Sequence, residues 1–121
     1  KKRFFIFDGD GNVLMNLGSL ATIGATEPKN LVHIVFDNSS HESTGGQPTI
    51  SKNIDIHSIA RTLKYKAYKA TTKNELENIL RRIKKIKGPI LILIKISKSK
   101  ATSKRINIDA IEIKQRFMES L

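Results

Sequence analysis

Four short apolar runs, separated by segments of helical periodicity, constrain the fold of this chain more than any other feature. The runs span residues 4–7, 31–36, 66–70 and 90–96. Three of them are dense in β-branched and aromatic residues without clean apolar–polar alternation, which is typical of strands covered on both faces. The run at 66–70 has the weakest pattern. We therefore expect four strands of a mainly parallel sheet.

Apolar residues at helical spacing lie between and after these runs. They form four stripes: Leu14, Leu17, Gly18, Ala21 and Ala25; Ile56, Ile59, Ala60 and Leu63; Leu76, Ile79, Leu80, Ile83 and Ile86; and Ile113, Phe117 and Leu121. The small residues of the first stripe predict one helix that approaches a neighbour closely and ends near Glu27 and Pro28. A capping box begins the third helix at Thr72, and Gly88–Pro89 stops it. Asp109 can begin the last helix.

Strands that alternate with helices predict an α/β fold, a three-layer sandwich with helices on both faces of a mainly parallel sheet. The 121 residues fit one small domain. The sequence has no apolar stretch long enough for a transmembrane helix, and Asp8 and Asp10 come too early for a signal peptide. The sequence has no cysteine, so disulfides and thiolate metal sites are excluded. We expect a cytoplasmic protein.

Positive charge is concentrated in one part of the chain. The formal net charge is +11, and residues 61–105 hold 15 Lys and Arg against two acids, Glu75 and Glu77. Such a segment can attract nucleic acid or an acidic membrane, or it is the solvated surface of a Lys-rich protein. Aromatic residues are only 6% of the chain and do not interleave with the basic ones, which disfavours a base-stacking platform. A basic α/β module for nucleic acid or a nucleotide stays open as an alternative.

Residues 8–12 read Asp-Gly-Asp-Gly-Asn and follow the first predicted strand directly. Ligands of open α/β sheets bind beyond the carboxyl ends of the strands. The two glycines allow unusual backbone angles and the close approach of a ligand, and amides at the start of the next helix can bind phosphate oxygens. The carboxylate of Asp10 would repel a phosphate unless a cation lay between them. Asp10 therefore indicates Mg²⁺, a hard ion that takes oxygen ligands.

The second predicted strand also ends in oxygen-bearing residues, Asp-Asn-Ser-Ser at 37–40. Because adjacent parallel strands end side by side, Asp10 and Asn38 could share one ion. Both segments are also good turn formers, so the residues alone leave a plain turn and an ion site open. The stretch 38–53 is rich in Gly, Ser, Thr and Asn and exceeds a routine connection, which predicts a functional or disordered loop.

The Gly-Asp-Gly at 9–11, followed after 26 residues by Asn38, resembles the cofactor motif of thiamine diphosphate enzymes. The likeness continues through residues 14–21, 27–31 and 105–121. It is most specific in His-Glu-Ser-Thr-Gly-Gly-Gln-Pro-Thr at 41–49. These segments are similar to phosphonopyruvate decarboxylase and, next, to the β subunit of sulfopyruvate decarboxylase. One departure is Asp37, which stands where the motif usually has the first Asn of a pair.

The resemblance implies a role for each motif residue. Asp10, the side chain of Asn38 and the backbone carbonyl of Ser40 correspond to the Mg²⁺ ligands, and the ion in turn holds the cofactor diphosphate. The amides of Gly11 and Asn12 correspond to diphosphate donors. The implied cofactor-binding set is Gly9, Asp10, Gly11, Asn12, Asn38 and Ser40.

The same resemblance implies a thiamine diphosphate-dependent carboxy-lyase that converts phosphonopyruvate to phosphonoacetaldehyde and CO2, with sulfopyruvate or another 2-oxo acid as the alternative substrate. Members of the family bind the cofactor between two domains, and the pyrimidine-binding domain supplies the activating Glu. We expect residues 1–121 to be a diphosphate-binding domain, incomplete at its N-terminus and inactive alone. It would work with a pyrimidine-binding domain or subunit in a homo- or hetero-oligomer.

No catalytic residue can be assigned in the chain, although His41 is a possible one. His41 and Gln47 lie in the segment after the proposed ion site and are candidates for substrate contact, and the alternative is that each only orders the loop. His33 falls in a predicted strand and His57 in a predicted helix, where structural roles are expected. No two histidines have the spacing of a zinc site.

Overall fold

Parallel strands form the centre of the molecule. The computed structural model describes residues 2–98 and 106–121, so the basic segment 61–105 is described only up to residue 98. In chain order the elements are β1 (Phe4–Gly9), α1 (Asp10–Met15), α2 (Gly18–Thr26), β2 (Leu31–Asp37), β3 (Ser40–His41), β4 (Gln47–Pro48), a 3₁₀ helix (Ile50–Lys52), α3 (Ile56–Thr62), β5 (Lys66–Ala70), α4 (Lys73–Ile83), β6 (Ile90–Lys95) and α5 (Ala110–Glu119).

The four predicted strands pair in the order β1–β2–β6–β5, and every pairing is parallel. All four carboxyl ends therefore lie along one edge of the sheet. The segment between β2 and α3, predicted to be a functional or disordered loop, instead contains the antiparallel pair β3–β4 and the 3₁₀ helix. Of the described helices, none is long and apolar enough to cross a membrane.

Two apolar clusters cover the opposite faces of the sheet, as the sandwich prediction requires. One packs α1, α2 and α3 against the sheet through Val13, Leu20, Val35, Ile56, Ala60, Tyr65, Leu91 and Leu93. The other packs α4 against the sheet through Val32, Ile34, Ile83, Ile90 and Ile92. The fold-class prediction of a three-layer α/β sandwich is confirmed. The prediction that both faces are covered is wrong for edge strand β1, because Phe5 and Phe7, which share one face, are exposed.

The first predicted helix is in fact two helices. α1 already begins at Asp10, and the helix is interrupted at Asn16 before α2 begins at Gly18. Asn and Gly are poor helix formers, so the break falls where helical propensity is lowest. The predicted small-residue face is also wrong, because Gly18, Ala21 and Ala25 are exposed.

A close helix approach does occur, but at Gly24. A Cβ atom on Gly24 would lie 2.1 Å from the carbonyl oxygen of Leu63, so only glycine lets α2 pack against the end of α3. Glu27 ends α2 in the left-handed conformation, at the predicted boundary. The capping box of α4 is present, with Thr72 and Glu75 bonding to each other's backbone amides. α4 ends at Ile83, before the predicted stop at Gly88–Pro89.

Candidate functional site

A cleft of about 820 Å³ lies at the carboxyl ends of β1 and β2. Every residue singled out by the sequence as a cofactor, metal or substrate contact lines it: Gly9, Asp10, Gly11, Asn12, Asn38, Ser40, His41 and Gln47. Apolar side chains of Phe7, Met15, Phe36 and Ile96 line the rest, together with Asp8, Glu42, Ser43 and Thr44. The lining of the cleft therefore combines polar and apolar side chains.

The Asp-Gly-Asp-Gly-Asn segment spans the junction of β1 and α1 without a loop. Gly9 ends β1 with φ −100°, and neither Gly9 nor Gly11 has a positive φ, so the predicted use of unusual backbone angles is wrong. A Cβ on Gly9 would meet no atom within 4 Å, which leaves the backbone open to a ligand in the cleft.

Gly11 is needed for packing within the protein. A Cβ there would lie 2.5 Å from Nδ1 of His41 and 3.4 Å from Cγ2 of Thr49. The first turn of α1 therefore lies directly beneath the His41 ring, and the segment that carries His41 and Thr49 is held against it.

Asp10 is the first residue of α1, and only 2% of its surface is exposed. Its Oδ2 accepts a hydrogen bond from the hydroxyl of Thr49. Within residues 2–98 and 106–121, no Lys, Arg or His forms an ion pair with Asp10. A buried carboxylate that lacks a positive partner is costly, and a bound cation would remove that cost.

The carboxylate of Asp37, at the end of β2, is instead neutralised within the protein. Lys95, its register partner on β6, forms an ion pair with Oδ2, and Oδ1 accepts from the Ser51 hydroxyl at 2.8 Å. Burial alone would raise the pKa of Asp37, but the bonds from Lys95 and Ser51 outweigh it and hold the pKa below its usual value. Both carboxylate oxygens of Asp37 therefore have partners within the protein.

Asn38 follows β2 and has both ends of its amide fixed. Its Oδ1 accepts from the backbone amide of Ser40 at 2.9 Å, and its Nδ2 donates to Oε2 of Glu42 at 2.7 Å. Ser39, between Asn38 and Ser40, has φ 56°, so the backbone turns sharply after β2. The hydroxyl of Ser40 is buried and has no hydrogen-bond partner among residues 2–98 and 106–121.

His41 and Gln47 lie on the two strands of the β3–β4 pair, opposite each other in register. His41 is half-buried and Gln47 is exposed, and both line the cleft. Gly45 and Gly46 adopt φ 133° and 77° in the turn between the strands, where glycine is favoured. His57 lies half-buried on α3, away from the residues that line the cleft.

Four residues that contact the site were not predicted from the sequence to be part of it. Thr49, Ser51 and Lys95 form the bonds around Asp10 and Asp37, and buried His33 contacts Oδ2 of Asp8 through Nε2 at 3.2 Å. Period-two spacing could have placed His33 beside Asp8, because both face the same side of adjacent strands. No local signal could have placed Thr49, which lies 39 residues from its partner.

The residues present fit a hard divalent cation bound through oxygen. No group of three or more His, Cys, Asp or Glu side chains in the described residues could hold a metal by itself. An ion here would therefore need amide or carbonyl oxygens and ligand oxygens beside any carboxylate, which is the kind of set that Mg²⁺ prefers. Buried Asp10 and the fixed amide of Asn38, in one cleft, supply the first two.

Comparison with known proteins identifies the family of the chain. Residues 1–94 match the family model described as thiamine pyrophosphate enzyme, C-terminal TPP binding domain. The chain is 47% identical over 92 residues to a phosphonopyruvate decarboxylase of Streptomyces viridochromogenes, covering 75% of this chain and 23% of the relative. It is 40% identical over 116 residues to that of Streptomyces hygroscopicus, covering 94% of this chain and 29% of the relative.

A third relative is the β subunit of sulfopyruvate decarboxylase from Methanococcus maripaludis, 32% identical over 120 residues. That match covers 99% of this chain and 65% of the relative. The chain thus spans less than a third of the phosphonopyruvate decarboxylases and just under two thirds of the β subunit. The family match covers most of the chain, and the chain belongs to the thiamine pyrophosphate enzymes, in which it corresponds to the C-terminal TPP-binding domain.

Proposed function

We propose that this domain anchors the diphosphate of thiamine diphosphate through Mg²⁺ in an enzyme that decarboxylates phosphonopyruvate to phosphonoacetaldehyde. The buried carboxylate of Asp10, which has no positive partner among the described residues, is the observation that carries the metal assignment. The substrate assignment is supported by the two phosphonopyruvate decarboxylases, which are the relatives at 40% and 47% identity.

The proposed metal ligands are Asp10, the side-chain oxygen of Asn38 and the backbone carbonyl of Ser40. Asn38 suits this role because its Nδ2 donates to Glu42, so the amide oxygen has a fixed direction. The backbone amides of Gly11 and Asn12, in the first turn of α1, have no partner within that helix and can donate to the diphosphate. Gly9 leaves room for the cofactor beside the strand end.

When bound, thiamine diphosphate supplies the electron sink for loss of CO2 from a 2-oxo acid. The residues of this domain bind and orient the cofactor, and none of them is proposed to transfer a proton. His41 and Gln47 are proposed to contact the substrate, because both line the same cleft as the proposed diphosphate-binding residues. A divalent ion at Asp10 offsets the repulsion between that carboxylate and the cofactor phosphates.

Sulfopyruvate is the second proposed substrate. It is supported by the relatives named sulfopyruvate decarboxylase subunit β, which match nearly the whole chain at 31–33% identity. The complete enzyme should be tested with both acids at equal concentration. A larger kcat/KM for phosphonopyruvate is expected, and a larger value for sulfopyruvate would reverse the assignment.

A pyrimidine-binding domain, on the same polypeptide or on a partner subunit, is proposed to complete the site. The chain spans 23–29% of two phosphonopyruvate decarboxylases, and other relatives are named as subunits of a decarboxylase. Both arrangements place the rest of the active site outside residues 1–121.

Replacing Asp10 by Asn in the complete enzyme tests the metal assignment. The change removes the charge and keeps the shape, so we expect Mg²⁺-dependent binding of thiamine diphosphate to weaken by more than about 100-fold, the upper end for outer-shell partners of a metal. Isothermal titration calorimetry with the cofactor, with and without Mg²⁺, measures this. Glu77→Gln, on the exposed surface of α4, removes one carboxylate elsewhere and should bind normally. Undiminished affinity in Asp10→Asn would contradict the assignment.

A further inference from the structure

Residues 49–51 lie between two buried carboxylates, that of Asp10, which follows β1, and that of Asp37, which ends β2. Thr49 and Ser51 are each 6% exposed, and Thr49 is the N-cap of the short 3₁₀ helix in which Ser51 lies. The Thr49 hydroxyl bonds to Asp10, and the Ser51 hydroxyl bonds to Asp37 at 2.8 Å. Two neighbouring hydroxyls thus each reach one of the two buried carboxylates.

The direction of the bond between Thr49 and Asp10 follows from proton counting. An ionised carboxylate can only accept, so the single hydroxyl proton of Thr49 points at Oδ2 of Asp10. The same hydroxyl oxygen accepts from the backbone amide of Ser51 at 3.4 Å. Oδ2 of Asp10 is therefore occupied, whereas Oδ1 makes no hydrogen bond within the described residues.

Segment 49–51 is itself anchored on the other side. Ser51 donates to Oδ1 of Asp37, and Lys95 holds Oδ2 of the same carboxylate. Because Asp37 and Lys95 are register partners at the ends of two central strands, this anchor is tied to the sheet. The position of the Thr49 hydroxyl is thus fixed by the sheet as well as by its own loop.

We propose that Thr49 is a positioning residue for the metal: its hydroxyl occupies one oxygen of Asp10 and directs the other towards Mg²⁺. The proposal rests on the proposed function, in which Asp10 binds the ion. It adds to the metal site a residue that is distant from Asp10 in the sequence. The hydrogen bonds and the ion pair through Ser51, Asp37 and Lys95 then serve to hold Thr49 in position. Outer-shell partners of this kind typically change metal affinity by 10–100-fold.

The test measures metal binding directly in the complete enzyme. Mn²⁺ replaces Mg²⁺ as the probe, and the free Mn²⁺ signal in electron paramagnetic resonance gives its Kd at saturating thiamine diphosphate. Thr49→Val, which keeps the side-chain shape but removes the hydroxyl, should raise this Kd about 10- to 100-fold. Thr49→Ser, which keeps the hydroxyl, should restore it to within about threefold, which a purely structural loss of packing would not predict.

Thr62→Val is the matched control, because Thr62 is exposed on α3 and, in the part of the chain that the structure describes, its hydroxyl bonds only to the backbone of Ser58. Its Kd should be unchanged. If Thr49→Val does not fold, Thr49→Ala removes the same hydroxyl without adding a methyl group and should show the same loss. A Kd within threefold of the unaltered enzyme in either folded variant overturns the proposal.

Asp10→Asn separates this proposal from the proposed function. If Asp10→Asn abolishes Mn²⁺ binding but removal of the Thr49 hydroxyl changes nothing, only the positioning role fails. If Asp10→Asn binds Mn²⁺ as well as the unaltered enzyme, Asp10 is not the ligand, and both proposals fail.

Discussion

At the scale of single residues, Gly11 links the diphosphate site to the proposed substrate site. An added Cβ would lie 2.5 Å from Nδ1 of His41, so one of the two must move. Gly11 lies in the backbone of α1, whereas His41 presents a side chain that can rotate. A methyl group at Gly11 should therefore displace the His41 ring and leave α1 in place.

Gly11→Ala in the complete enzyme should raise the KM of the substrate about tenfold, which corresponds to the loss of one hydrogen bond to a charged group. The Kd of thiamine diphosphate should stay within about threefold, because the backbone amides of α1 do not move. His41→Ala should have a similar effect, and the double variant should be no worse than either single one. Steady-state kinetics on the three variants measures this.

Gly18→Ala is the control for Gly11→Ala, because Gly18 is an exposed helix residue whose added Cβ would be 3.5 Å from its nearest neighbour, Oδ1 of Asn16. It should leave KM unchanged and stabilise the fold by about 0.5–1 kcal/mol. A larger loss of cofactor affinity than of substrate affinity in Gly11→Ala would contradict a substrate role for His41.

The cleft residues could be predicted from the sequence, because the ends of adjacent parallel strands lie together at one edge of a sheet. Asp10 and Asn38 do line one cleft, although binding of a shared ion stays a prediction. Thr49 and Lys95 were beyond this reasoning, because their bonds to Asp10 and Asp37 depend on the path of a long connection and on which strand lies next to β2. Local residue spacing predicts neither the path of that connection nor the order of the strands.

At the scale of elements, strand boundaries were predictable and the first helix was not. β-branched residues are concentrated in β2 and β6, so their limits follow from composition. The stripe from Leu14 to Ala25 suggested one helix because periodicity alone does not register a two-residue break. The interruption at Asn16 lets α1 bury Val13 while α2 buries Leu20 and Gly24.

The ion pair between Asp37 and Lys95 holds together the ends of β2 and β6. Lys95→Met should leave a buried carboxylate without its cation and lower the free energy of unfolding at pH 7 by about 1–3 kcal/mol. The pKa of Asp37 is lowered in the fold, so the stabilisation it gives is complete above the unfolded pKa of about 4 and is lost as the pH falls through the folded value.

Denaturant unfolding of Lys95→Met and the unaltered enzyme at several pH values tests this. The difference in unfolding free energy should be full at pH 7 and should be lost as the pH falls through the folded pKa of Asp37, which lies below its usual value. Lys98→Met, a change at a nearby exposed lysine, should show no such difference. A pH-independent effect of Lys95→Met would indicate lost packing of the side-chain stem.

At the scale of the whole molecule, exposed apolar side chains extend from the cleft along the edge of the sheet. Phe5 and Phe7 on edge strand β1 are 48% and 66% exposed, and Met15 beside the cleft is 73% exposed. Phe7 stacks on Phe36 at a centroid distance of 6.2 Å. The apolar side chains that line the cleft are therefore continuous with the exposed edge of the sheet. Apolar surface of this kind is typical of contacts with another domain or subunit, in agreement with the proposed pyrimidine-binding partner.

A polypeptide of residues 1–121 alone should therefore release no CO2 from phosphonopyruvate in the presence of Mg²⁺ and thiamine diphosphate. Of the described glutamates, only Glu42 lines the cleft, and its carboxylate holds the amide of Asn38 at the proposed diphosphate position, where it cannot serve as the activating Glu. A coupled CO2 assay, with the complete enzyme as positive control and circular dichroism to confirm folding, measures this. Steady CO2 release that disappears in Asp10→Asn would mean that the domain carries its own activating group.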